Sequence, residues 1–180
     1  MSSSLTAAPS DVQGSDARFN TIPSLDGAPP LVTVRHLTKT YRGRPALRDL
    51  SLSLPAGRIV GLMGANGCGK TTLLKILAGV LADYEGQVRI AGYAPGPLSK
   101  ALVSFLPDAD FLATSLTPPR AIAQFSRLFA DFDAAKARRL VDFFALPAER
   151  SIKEMSKGMG EKLRIALMMS RRARVYLLDE

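Results

Sequence analysis

The segment Gly64-Ala65-Asn66-Gly67-Cys68-Gly69-Lys70-Thr71 has the spacing G-x-x-x-x-G-K-[ST], and those residue types suit the cradling of a chain of phosphates. A tight loop that turns its backbone N–H groups inward around an anion needs glycines, because side chains would hold the main chain away. Lys70 supplies a cation for the terminal phosphates and the Thr71 hydroxyl is placed to hold Mg2+, with Thr72 next to it in the same cradle. The helix that starts here points its positive end at the anion. An accidental match in a chain of this length has odds of roughly one in a hundred.

Three further places carry residues of chemical interest. Val175-Tyr176-Leu177-Leu178-Asp179-Glu180 reads as a buried strand ending in two acids, a placement that suits a metal ion and a water next to phosphate. Two acids in isolation would read as an exposed strand end; downstream of a phosphate loop they read as functional. Met155-Ser156-Lys157-Gly158-Met159 opens a helix with Ser156 as N-cap, and a glycine so near a helix start marks close approach by something. Tyr41 offers a face on which an adenine ring could stack, although spacing alone favours an ordinary core or turn tyrosine.

The elements that position these residues follow from periodicity. Arg58-Ile59-Val60-Gly61-Leu62-Met63 reads as a buried strand entering the loop, and Leu73, Leu74, Ile76, Leu77 and Val80 recur at helical spacing after it. Upstream, Val32, Val34 and Leu37 begin one strand that ends near Tyr41. Leu50, Leu52 and Leu54 alternate with Ser51 and Ser53 in a second, closed by Pro55-Ala56-Gly57. His36 falls in the first strand, where a surface or edge position without a catalytic role is expected. Downstream come a short strand over Glu85 to Gly92, a Pro/Gly-rich connector from Tyr93 to Pro97, and a strand at Val103-Ser104-Phe105-Leu106 leading to Asp108. From Thr117 the pattern turns helical, with apolar faces at Ile122, Phe125, Leu128, Phe129 and Phe132 and at Ala137, Leu140, Val141 and Phe144. A third helix carries Met159, Leu163, Ala166 and Leu167.

Composition sets the outer limits. The chain of 180 residues can bury one sizeable core, and its single cysteine, Cys68, cannot form an internal disulfide. With no signal-peptide character at the N-terminus and no apolar run long enough for a membrane span, an intracellular, reduced setting is expected. The net charge of +8 is spread evenly, ten cations against six carboxylates in residues 1–90 and fourteen against ten in residues 91–180, so no basic tail suggests nucleic acid. Residues 1–30, rich in Ser, Ala, Pro, Asp and Gly, read as a disordered extension.

Over residues 31–180 the order of these motifs resembles the ATP-binding subunit of ABC transporters. Gly64 to Thr71 matches the family's Walker A loop, and Val175 to Asp179 with Glu180 matches its Walker B strand and catalytic glutamate. Tyr41 falls where the family places its adenine-stacking aromatic, which makes that the favoured reading. Ser156 and Gly158 match the signature, usually Leu-Ser-Gly-Gly-Gln, while Met155, Lys157 and Met159 depart from it as in small bacterial subunits that work with separate membrane proteins. Asp108 stands where the family more often carries Gln or Glu near Mg2+.

The resemblance implies an α/β fold of ABC type: a P-loop NTPase core of mostly parallel sheet flanked by helices, an N-terminal antiparallel β portion, and a small inserted helical lobe at about 109–172. It implies ATP and Mg2+ as ligands, Lys70 and Glu180 as catalytic residues, and Thr71, Asp108 and Asp179 at the metal. Tyr41, Gly64 to Thr72, Ser156 and Gly158 would contact nucleotide. The implied partners are a second ABC subunit across the nucleotide, in a homo- or heterodimer, and an integral membrane permease, so the subunit would sit on the cytoplasmic face of the membrane. The family continues past the Walker B glutamate to a switch histidine, so the chain is expected to be C-terminally incomplete and weak or inactive alone. The alternatives are a non-catalytic nucleotide-binding fragment and a soluble ABC-type ATPase acting on ribosome or DNA, which would need tandem cassettes or coiled-coil insertions. A GTPase is disfavoured by the lack of an Asn/Thr-Lys-x-Asp motif.

Overall fold

The computed structural model describes Ser3–Ser4 and residues 29–179, and the chain divides into two units, Met1–Lys100 and Ala101–Glu180. The strands of the first unit are β1 (Ser3–Ser4), β2 (Val32–Tyr41), β3 (Arg44–Leu54), β4 (Val60–Gly61) and β5 (Glu85–Ile90). Its helices are α1 (Lys70–Leu77) and α2 (Pro97–Ala101), the latter ending on the first residue of the second unit.

β2 is the middle strand of an antiparallel sheet in the order β3-β2-β5. Near His36 the ladder slips by one residue against both neighbours, and His36 takes a positive φ of 50°. This bulge lets Val34 and Leu37, three apart in sequence, both reach the core, at 1% and 0% exposure. Side chains supply hydrogen bonds where the ladder is broken. The His36 N–H donates to Ser51 Oγ and the Asp49 N–H to Thr38 Oγ1, each at 3.0 Å. On the facing strand a Cβ at Gly86 would lie 2.3 Å from the His36 carbonyl oxygen, and Gly86 has φ +98°, so only glycine fits. His36 itself is exposed, its Nδ1 2.7 Å from Asp49 Oδ1, a surface pair worth at most about 1 kcal/mol.

α1 lies against β3 and buries Leu73, Ile76 and Leu77. It ends there, at the Ala78 cap, so Val80 is exposed rather than on the helix's inner face. Two other expectations need correcting. The run Arg58 to Met63 is strand only at Val60–Gly61, with Ile59 87% and Met63 65% exposed. A strand buried on both faces needs neighbours on both sides, and among the described residues β4 pairs only with β1, in parallel. The Pro/Gly-rich connector, in turn, ends in α2, where the buried Ser99 side chain bonds both the N–H and the carbonyl of Gly96 at 2.8 and 3.0 Å. Of the N-terminal stretch 1–30, Ser3–Ser4 forms β1 where the sequence carries no strand signal, and the rest apart from residues 29–30 lies outside the described residues.

The second unit contains β6 (Val103–Leu106), α3 (Pro118–Leu128), α4 (Ala134–Phe143), a 3-10 turn at Ile152–Glu154, α5 (Lys157–Met169) and β7 (Val175–Leu178). β6 and β7 pair in parallel, with Val103 opposite Val175 and Leu106 opposite Leu178. The three helices share one apolar core in which Ile122 and Phe125 of α3, Ala137 and Val141 of α4, and Leu163 and Leu167 of α5 meet. Leu128, expected on that face, is 63% exposed because α3 ends with it. Phe129 and Phe132 pack beside Phe125 instead, with ring centroids 5.4 and 5.7 Å away.

The helix starts are legible in chemical terms. Prolines occupy the first turn of α3, where no N–H is needed. Asp133 caps α4 by accepting from the Lys136 N–H at 2.8 Å, and Ser151 and Glu154 form a capping box. The Lys136 N–H holds the Asp133 carboxyl below its usual range, and the Ser151 side chain does the same for Glu154. Arg171, 6% exposed, ties the unit together. It donates to the carbonyls of Val103 (2.7 Å) and Ala101 (3.2 Å), engages both carboxylate oxygens of Asp131 at 3.1 Å, and lies over the Phe129 ring.

Candidate functional site

The phosphate loop is built by backbone conformation. Gly67 has φ +80° and Gly69 φ +96°, left-handed values that L side chains resist. At Gly69 a Cβ would also lie 2.3 Å from the Ala46 carbonyl oxygen and 2.8 Å from Leu47 Cδ2, so the end of the loop rests on β3 and only glycine allows it. Gly69 is the N-cap of α1 and brings no side chain of its own to cap it. The positive end of the helix dipole thus faces the loop, which favours an anion there. Lys70 Nζ donates to the carbonyls of Gly64 at 2.7 Å and Ala65 at 3.0 Å, which places a cation across the loop. Gly64, Ala65, Asn66, Gly67 and Cys68 are exposed, as is Thr71, while Thr72 is half-buried one position further along α1.

Tyr41 belongs to the same unit and stands at the tip of a hairpin. Arg42 and Gly43 connect β2 to β3 with φ values of 47° and 78°, the pair of left-handed residues that a type I′ turn requires. Where Tyr41 lies follows from register and contact. Leu47, whose side chain abuts the Gly69 position, is paired with Lys39, and Tyr41 lies two residues beyond Lys39 on the same strand. Cross-strand partners share a face and so do residues two apart. The ladder shifts between Lys39 and Thr40, but the Lys39 ammonium lies 4.9 Å from the Tyr41 ring, which keeps Tyr41, 45% exposed, beside the residue paired with Leu47.

Asp108, Asp179, Ser156 and Gly158 lie in the second unit. The Asp179 N–H donates to the Leu106 carbonyl at 2.9 Å, which continues the β6–β7 ladder by one residue. Asp179 thus sits at the carboxyl end of β7, and Asp108 lies two residues beyond the carboxyl end of the neighbouring β6. That end of parallel strands is where open α/β sheets bind ligands. Both groups, like the Thr71 hydroxyl, offer hard oxygen donors of the kind Mg2+ prefers. Among the described residues no three His, Cys, Asp or Glu side chains cluster as a metal site. Glu180 lies outside the described residues.

Ser156 caps α5, its hydroxyl accepting from the Met159 N–H at 3.3 Å. Gly158 has neither a left-handed φ nor any atom within 4 Å of a Cβ placed on it. Lys157 is exposed, 3.8 Å from Glu161 one turn on. Arg164, a residue that sequence reasoning misses, reaches Asp110 at 2.7 Å and ties the segment after β6 to α5. That pair joins residues 54 apart, and no local pattern marks it.

The family described as ABC transporter matches residues 47–180. The chain is 28% identical over 152 residues to the ABC transporter ATP-binding protein YtrB of Bacillus subtilis, covering 83% of this chain and 52% of that protein. It is 32% identical over 161 residues to the putrescine transport ATP-binding protein PotG of Escherichia coli, covering 84% and 42%. A solved structure described as the ATP-binding subunit of an ABC transporter superposes with a TM-score of 0.73 at 26% identity, covering 83% of this chain and 66% of that one. The chain spans about half the length of these two curated relatives. Its fold is that of ABC-type ATP-binding domains. Among the described residues no helix is long and apolar enough to cross a membrane.

Proposed function

Because the chain belongs to the ABC transporter family, we propose that it is part of an ATP-binding and ATP-hydrolysing subunit that energises transport through a separate membrane permease. The observation that carries this reading is the phosphate loop, in which left-handed Gly67 and Gly69 lead into α1 and Lys70 is held across the loop. Relatives named for putrescine transport, aliphatic sulfonate import and peptide export differ in cargo. Their names support a shared ATP-driven role and do not favour a ribosome- or DNA-directed one.

The loop amides and Lys70 neutralise the phosphates, while Tyr41 stacks on the adenine. Thr71, Asp179 and Asp108 would hold Mg2+, which when bound would offset the charge of the phosphates. Glu180 accepts a proton from the attacking water. Ser156 and Gly158 face the nucleotide of a second ABC subunit. Among the described residues nothing crowds a Cβ placed at Gly158, and a glycine in a helix costs stability, which supports approach by an outside group. The permease would hold the subunit at the cytoplasmic face of the membrane.

Mg-ATP turnover by the subunit assembled with its permease tests the proposal. Turnover should fall by about a hundredfold or more in Glu180→Gln with binding retained. Equal turnover in the variant and the unaltered protein would remove Glu180 from the reaction.

A further inference from the structure

Lys39 is 5% exposed, uncommon for a lysine, and two contacts account for its burial. Its Nζ donates to Asp83 Oδ2 at 2.6 Å and stands 4.9 Å from the centroid of the Tyr41 ring. Asp83 comes from the segment between α1 and β5, and its side chain is almost fully exposed. A cation at this distance is drawn to the ring's quadrupole, so it restrains the ring and covers one of its faces. Tyr41 is 45% exposed, so the side chain keeps surface on which a flat partner can lie. The ammonium also draws π density toward itself, which favours stacking of an electron-rich purine on the ring.

We infer that Lys39 is a positioning residue for the nucleotide base: it fixes the Tyr41 ring from one side so that adenine stacks on the other, and Asp83 fixes Lys39. This rests on the reading of Tyr41 as the base-stacking residue. In effect three side chains from β2 and the α1–β5 connection form one device, Asp83 to Lys39 to Tyr41 to base. The device acts on the base and leaves the phosphates to the loop.

Calorimetric titration of the full chain with Mg-ATP and with Mg-tripolyphosphate, which has phosphates and no base, tests it. Lys39→Met should weaken ATP about fivefold to tenfold and leave tripolyphosphate unchanged, with Lys39→Arg restoring most of the loss. Asp83→Asn, altered at an exposed side chain, should show a smaller loss of about twofold confined to ATP, and it decides the matter if Lys39→Met does not fold. Equal weakening of both ligands by Lys39→Met would reduce Lys39 to a support of the fold and overturn the inference. So would unchanged ATP affinity in Lys39→Met while Tyr41→Ala loses it, which leaves base stacking intact without help from Lys39. Unchanged ATP affinity in Tyr41→Ala would instead remove the base-stacking reading, and the inference with it.

Discussion

Two glycine-bearing segments stand at helix starts, one in each unit, and the chain has different reasons for their glycines. In the phosphate loop Gly67 and Gly69 take left-handed φ values, and a Cβ at Gly69 would strike the Ala46 carbonyl. At the start of α5, Gly158 and Gly160 have ordinary φ values and open space where a Cβ would go. The first pair is demanded by left-handed backbone, whereas the second costs helix stability with no close contact among the described residues that requires it. The phosphate loop thus carries the reason for its glycines within its own unit, and the start of α5 shows none among the described residues.

The sharpest way to break this contrast is to add a methyl group to each segment. Gly69→Ala combines a left-handed penalty with overlap on backbone, and is expected to cost about 2–4 kcal/mol and to abolish tight nucleotide binding. Chemical denaturation and a nucleotide titration would check both. Gly158→Ala should do the opposite to the fold. Thermal unfolding should show it neutral or more stable by about 0.5 kcal/mol, while ATP turnover of the assembled transporter falls. Destabilisation by Gly158→Ala would mean that the glycine serves the chain itself.

The smallest expected effect concerns the helix caps of the second unit. Asp133 and Glu154 both have carboxyls held below their ordinary range, by the Lys136 N–H and by Ser151 respectively. A lowered folded-state pKa means that the stabilisation is present above the unfolded value and is lost as pH falls through the folded one. The α4 end of this unit should thus weaken only below about pH 4, and Asp133→Asn should lower stability at neutral pH and flatten its acid dependence. Helical circular dichroism followed from pH 7 to pH 2 would show it; an unchanged acid profile in the variant would remove the cap from the account.

How much of this is legible in the sequence depends on the range of the forces involved. The phosphate loop and the Ser156 cap can be read because their causes are local: glycine spacing and a hydroxyl before a helix. The alternating Leu50, Leu52 and Leu54 mark only the second half of β3, which starts at Arg44 and makes a tight hairpin with Tyr41. The bulge at His36 is hidden because it depends on Gly86 of a strand some fifty residues away. The anchors Arg171–Asp131 and Arg164–Asp110 join residues 40 and 54 apart, and nothing nearby in sequence marks either cation as buried or paired. The apolar run around Val60 shows the converse error, since apolar residues alone do not make a strand, and among the described residues only Val60 and Gly61 find partners.

The most direct test of the central claim, that the loop and Lys70 form the phosphate site, is a calorimetric titration of Mg-ATP into the unaltered chain and Lys70→Ala. Removing one charge-assisted contact should weaken binding about tenfold to a hundredfold, and inorganic tripolyphosphate should compete with ATP only in the unaltered protein. Equal affinities in the two proteins would contradict the account.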